Sequence, residues 1–64
     1  MGKVRRGGFV FLTWVSDHGP RHVHVYEDGV LVVKWDLDSR VAMKGEASER
    51  VLKIIKELES EGLV

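Results

Sequence analysis

The chain has 64 residues, no cysteine, and ten basic residues against ten acidic ones. That length supports one hydrophobic core and excludes a second domain, and the missing thiols exclude disulfides and thiolate metal sites. A neutral total argues against a dedicated non-specific nucleic-acid binder, yet residues 1–22 carry four bases and one acid while residues 23–64 carry six bases and nine acids.

A chain this short buries only about 60 % of its unfolded surface, so it calls for a metal, a partner surface or an unusually consistent fold. The absence of Asn and Gln beside many Lys, Arg and Glu fits a thermophilic composition.

Residues 1–8 form a basic, glycine-containing start, with Gly7-Gly8 expected as a hinge. This start is predicted to be flexible, with Lys3, Arg5 and Arg6 solvating it or gripping phosphate. The apolar run Phe9–Val15 follows and copies the outline of a signal peptide. It contains Thr13, has no small-residue cleavage site, and is far too short to cross a bilayer. It therefore reads as a strand of a cytoplasmic protein with no membrane association. Its faces are both apolar, so it should sit centrally in a sheet or be covered on both sides.

Ser16–Arg21 is a loop punctuated by Gly19-Pro20. His22–Glu27 and Val30–Leu37 then read as two strands joined by Asp28-Gly29, a strong hairpin signal because both turn residues need positive φ. A regular two-residue hairpin pairs Glu27 with Val30, Tyr26 with Leu31, His24 with Val33 and His22 with Trp35. One face would then hold His22, His24, Tyr26, Leu31, Val33 and Trp35, and the other Val23, Val25, Val30 and Val32, with Glu27 and Lys34 near its margins. Neither face is plainly polar, which predicts a homodimer or another partner covering the face left open by the helix.

A short fourth strand is expected around Val41-Ala42-Met43, and Gly45 breaks the chain before a helix. Ser48 suits the N-cap, with Glu49 at the positive end of the dipole. Val51, Leu52, Ile55 and Leu58 form the apolar stripe of a helix lying on a sheet. Gly62 suits the left-handed closing residue, with Leu63 folding back on Leu58. The expected architecture is α+β: one domain over residues 1–64, with a small antiparallel sheet of three or four strands (β-β-β-(β)-α) packed on one C-terminal helix.

Most of the chemistry lies in Asp17-His18-Gly19-Pro20-Arg21-His22-Val23-His24. His22 and His24 leave the same face of a strand roughly 7 Å apart. His18 arrives from the preceding loop. Three neutral imidazoles with an open fourth position suit zinc or another divalent metal, and Asp17 would orient one ring. Without a metal, His22 and His24 could serve as base and acid in ribonucleolytic cleavage, with Arg21 as charge clamp and Tyr26 as a further donor. The plainer reading gives the histidines a role in ordering the loop. Trp14 and Trp35 could stack bases, although a core this small needs at least one of them. No phosphate-binding glycine loop, serine triad or paired-carboxylate site is present, so the chain does not read as a complete enzyme of a standard class.

The segment Asp17-His18-Gly19-Pro20-Arg21-His22-Val23-His24-Val25 resembles the signature of a family of small prokaryotic proteins, the domain of unknown function 4160. Its members typically read D-H-x-P-P-H-F-H-V after a first apolar strand. The likeness runs on to Gly45 and the Val51–Leu58 helix. Arg21 stands where the second proline is usual and Val23 where an aromatic is usual; His18, His22 and His24 are retained. The resemblance implies no settled activity. It implies genes often set beside those of another small domain, in a toxin–antitoxin-like arrangement, which favours a small regulatory module with a co-encoded protein partner. Ribonuclease-type toxicity or binding of RNA or DNA is the alternative outcome.

Overall fold

The computed structural model describes residues 2–13 and 21–64. The expectations for Trp14, Val15, Asp17 and His18 lie outside the described residues. Five strands, β1 (Gly2–Arg6), β2 (Phe9–Thr13), β3 (His22–Glu27), β4 (Val30–Asp36) and β5 (Val41–Gly45), precede one helix, α1 (Glu49–Ser60). The strands lie in chain order in one sheet, every neighbouring pair antiparallel. The α+β architecture is as expected, with one strand more.

The additional strand is β1. In place of a flexible terminus, Gly2 to Arg6 pair with β2 from Thr13 back to Phe9. Gly7 and Gly8, at φ 62° and 84°, form the tight turn between them and do not act as a hinge. Positive φ at both positions is what the twist of a two-residue hairpin requires. Arg6 is tied down at the far end of the chain, its two terminal nitrogens donating to the two carboxylate oxygens of Glu61, the second at 2.9 Å.

The second difference is decisive for the faces. Tyr26 pairs with Leu31 and Glu27 with Val30 as the Asp28-Gly29 turn predicts, but the register then shifts. Val32 is the extra residue of a β-bulge, so Val25 faces Val33, His24 faces Lys34, Val23 faces Trp35 and His22 faces Asp36. A bulge of this kind moves every later side chain of its strand to the opposite face. Val33 and Trp35 therefore leave the histidine face and join Val23 and Val25, and Lys34 crosses the other way. Gly45 completes the device. It packs so close to β4 that a Cβ there would fall on the Val32 carbonyl oxygen, and its φ is 77°.

With the bulge in place one face gathers the large apolar groups, with Thr13 and Arg6 at its margins. Phe11, Val23, Val25 and Val33 are fully buried there, with Phe9 and Trp35 beside them. Helix α1 covers this face with Val51, Ile54, Ile55 and Leu58. The sequence stripe is thus correct for Val51, Ile55 and Leu58, whereas Ile54 is buried and Leu52 only partly so. Each such side chain removed from water contributes about 1.5–3 kcal/mol.

The helix ends are as the sequence predicts, except that Leu63 reaches Leu58 through its backbone alone. The Ser48 hydroxyl accepts from the Val51 amide at 3.2 Å. At the other end Leu63 N donates to Leu58 O at 2.9 Å and Gly62 N to Glu59 O at 3.1 Å, with Gly62 left-handed. This is a Schellman closure. The Leu63 side chain stays exposed, and Val64 packs on the core.

Candidate functional site

The face of the sheet turned away from α1 holds His22, His24 and Tyr26, because these alternate with the buried Val23 and Val25 along β3. His22 and His24 meet edge to face, with ring centroids 5.1 Å apart and planes at 74°. Burial depresses the pKa of His24 below its ordinary value, helped by the nearby positive charges of His22 and Lys34. Its neutral form is therefore favoured in the folded chain.

Around these rings the register builds continuous cross-strand rows. One runs Lys3, Leu12, His24, Lys34, Lys44 from one edge of the sheet to the other. A second runs Arg5, Val10, Tyr26, Leu31. A third places His22 beside Asp36 and Val41. Directly opposed residues share a face, so this surface collects Lys3, Arg5, Lys34 and Lys44 around two imidazoles and a phenol. Among the described residues no ion pair neutralises any of these four bases.

Asp36 is the single acid in the rows, and it is already engaged. It is buried, and its Oδ1 accepts from the amides of Asp38 at 2.9 Å and Ser39 at 3.0 Å, shaping the β4–β5 turn. Arg40 closes that turn at φ 56°, its amide donating to Asp36 O at 2.9 Å.

Arg21, expected as a charge clamp beside the histidines, is committed to the same turn. Its amide donates to Asp38 Oδ2 at 3.0 Å and its Nε to Oδ1 at 3.2 Å. The Asp38 carboxyl is held below the usual range by the Arg21 backbone bond first and its side-chain bond second. The turn thereby anchors the start of β3, where the histidines begin. Sequence reading passed over Asp36 and Asp38; an acid followed two and three residues on by backbone donors in a turn is the signal that marks them.

No group of three or more His, Asp or Glu side chains is placed to hold a metal ion among the described residues. His18 and Asp17, the remaining members of the expected metal set, lie outside them. Trp35 is a core residue, and its indole nitrogen is buried without an acceptor among the described residues. It is not a stacking platform. No helix among the described residues is long and apolar enough to cross a membrane.

The remaining charges are arranged differently on the helix side. Arg6 pairs with Glu61 and Glu57, and Arg40 makes a double contact with Glu59 at 3.2 Å. Arg50 lies over the Phe9 ring, 5.9 Å from its centroid, and donates to Gly7 O at 3.2 Å.

The model of the domain of unknown function DUF4160 matches residues 8–61. The chain belongs to the DUF4160 family. The matched stretch spans the two histidines, Lys34, Lys44 and the helix, and leaves β1 with Lys3 and Arg5 outside it. No curated protein and no solved structure matches the chain.

Proposed function

We propose that this DUF4160 chain is a small binding and regulatory module whose working surface is the histidine-bearing face of its sheet. One observation carries this reading: the helix uses one face for the core, and the opposite face concentrates half-buried rings and bases that stability does not require. The Lys34 side chain on an interior strand illustrates the point. A protein that needed this face only for solubility would alternate signs along it, since like charges directly opposite one another are destabilising. Here Lys34 faces Lys44.

The bulge at Val32 alters the case for a homodimer. The straight register leaves two apolar faces, of which one needs a cover. The actual register gathers Val33 and Trp35 under the helix, and what remains open sets four bases among the rings and Val10, Leu12, Leu31 and Val41. A partner that is acidic over its contact surface fits better than a second copy of the same face. A co-encoded protein in a toxin–antitoxin-like pair is one form such a module would take.

The close imidazole pair favours one further reading, cleavage of a ribose–phosphate backbone with one ring as base and the other as acid. It predicts turnover of an RNA substrate that is abolished by His22→Ala and by His24→Ala while the fold survives.

Photocrosslinking tests the primary reading. Tyr26 on the open face and, separately, Lys53 on the exposed side of α1 are exchanged for benzoylphenylalanine in the producing cell. A discrete adduct from position 26 and none from position 53 is expected. Equal labelling from both positions, or none from either, contradicts the assignment of the working face.

A further inference from the structure

Resting on that choice of face, we propose that its partner is a single-stranded nucleic acid, laid across the five strands with its phosphates on Lys3, Lys34 and Lys44 and its bases against His22, His24 and Tyr26. Three observations carry the inference.

The first is the separation of charge. The chain is neutral as a whole, yet among the described residues the open face holds four bases and one acid. That acid, Asp36, is buried and occupied by backbone amides. Among the described residues the surface therefore offers donors and cations with no outward carboxylate to receive a partner's lysines or arginines. A protein interface ordinarily presents both signs and both hydrogen-bonding senses, with a polar rim around an apolar centre. A polyphosphate presents acceptors only, which is the complement found here.

The second is the spacing. The row from Lys3 to Lys44 crosses four inter-strand gaps, or roughly 19 Å. The bases stand at both ends and beside the second end, with Leu12 and His24 between. A linear anion running perpendicular to the strands meets Lys3, then the rings, then Lys34 and Lys44. The charges are too few and too linear for a wrapped duplex.

The third is the form of the surface. It is a sheet face, with half-buried flat groups rather than a protruding helix or ribbon. Duplex DNA is read by elements that enter a groove, and duplex RNA across its shallow one. A sheet face with half-buried rings and flanking bases suits unpaired nucleotides, whose bases stack on aromatic and imidazole groups while the backbone follows the cations.

The experiment is a fluorescence-anisotropy titration of the whole chain against labelled ten-nucleotide uridine and thymidine strands, a duplex of equal length, and a labelled deca-glutamate peptide. The same probes are titrated against Lys34→Ala/Lys44→Ala on the open face and against Lys53→Ala/Lys56→Ala on the helix, which removes equal charge. A second open-face pair, Lys3→Ala/Arg5→Ala, acts from a different strand should the first disturb β4. Saturable binding of either single strand is expected. It should weaken about tenfold in each open-face pair and less than about twofold in the helix pair, and the salt dependence should fall by about 1.4 logarithmic units per decade in Lys34→Ala/Lys44→Ala, which loses two phosphate contacts. Equal losses in the open-face and helix pairs overturn the inference, as does tighter binding of the duplex. Deca-glutamate binding as tightly as the strands, with the same dependence on Lys34 and Lys44, overturns the nucleic-acid assignment and leaves the binding-module reading standing. If no probe binds, the inference fails alone: the crosslink from position 26 still judges the broader reading, and a nuclease-resistant, protease-sensitive adduct there excludes nucleic acid independently.

Discussion

The two faces of the same sheet solve different problems with alternate residues of the same strands. Along β3, Val23 and Val25 are fully buried while His22, His24 and Tyr26 remain half-exposed. Under the helix the groups are large, apolar and closely packed. On the other face ionisable and ring-bearing side chains stand beside Val10 and Leu12 in the same cross-strand rows. One face accounts for why the chain folds, and the other contributes little to the core. A domain of this size has about 3–5 kcal/mol of core stabilisation, so it cannot spare much of the first face.

Substitutions that break the division should rank accordingly. Leu58→Ala removes a fully buried side chain between helix and sheet. The expected loss is about 2–5 kcal/mol, comparable with the whole stability, so the variant should be largely unfolded by circular dichroism at 25 °C. Gly45→Ala comes next. Its Cβ collides with the Val32 carbonyl and the left-handed backbone adds about 1–2 kcal/mol, so a clear fall in the urea midpoint is expected. On the open face, Lys34→Ala/Lys44→Ala should leave the melting temperature near that of the parent, or raise it slightly by relieving a like-charge pair, while single-strand binding weakens about tenfold.

His24 gives a smaller, pH-dependent effect. Burial first, then the charges of His22 on the same strand and Lys34 on β4, lower its folded pKa below 6.5. The unfolded chain then takes up a proton that the folded chain resists. Stability is complete above about pH 6.5 and declines as the pH falls from there towards the folded pKa. Melting curves between pH 7.5 and pH 5.5 should show this decline, and His24→Gln should flatten it. The smallest effect is expected for Arg6→Ala. The Arg6–Glu61 contact raises the pKa of Arg6 and lowers that of Glu61 through their hydrogen bond, but both groups are solvent-exposed. Its loss should lower the melting temperature only slightly, and less in high salt.

Much of this molecule is legible from the chain. Asp28-Gly29 specifies a tight hairpin, Ser48 and Gly62 delimit the helix, and the spacing of Val51, Ile55 and Leu58 selects its buried side. These signals are local, each set by a few adjacent residues. The bulge is not local. Val30-Leu31-Val32-Val33 is apolar throughout, so no polar residue marks which of the four is displaced. Lys34 held the missing clue: a straight hairpin puts it on the valine face and Trp35 with the histidines. Inserting Val32 as a bulge corrects both at once. β1 was hidden for another reason. With Lys3, Arg5 and Arg6 around a single Val4 it has little strand propensity, and it is held by pairing with β2 and by the contact of Arg6 with Glu61.

The candidate site was half legible for the same causes. His22, His24 and Tyr26 follow from alternation alone. Lys34 and Lys44 join them only through two bulges, at Val32 and at Met43, where the pairing of β4 with β5 also shifts. Arg21 looked available beside the histidines, yet Asp38, distant in sequence, engages it. The cations that define the open face are thus contributed by register, which no short motif encodes.

The central claim is that the histidine-bearing face of the sheet receives a single strand while the helix side does not. The most direct measurement is a two-dimensional amide spectrum of the ¹⁵N-labelled chain, titrated with the ten-nucleotide uridine strand at low salt. Shift changes concentrated at His22, His24, Tyr26, Lys34 and Lys44, with Lys53 and Lys56 unmoved, are the predicted result. Changes centred on α1 and the Glu57–Glu61 end, or spread evenly over both sides of the sheet, would contradict it.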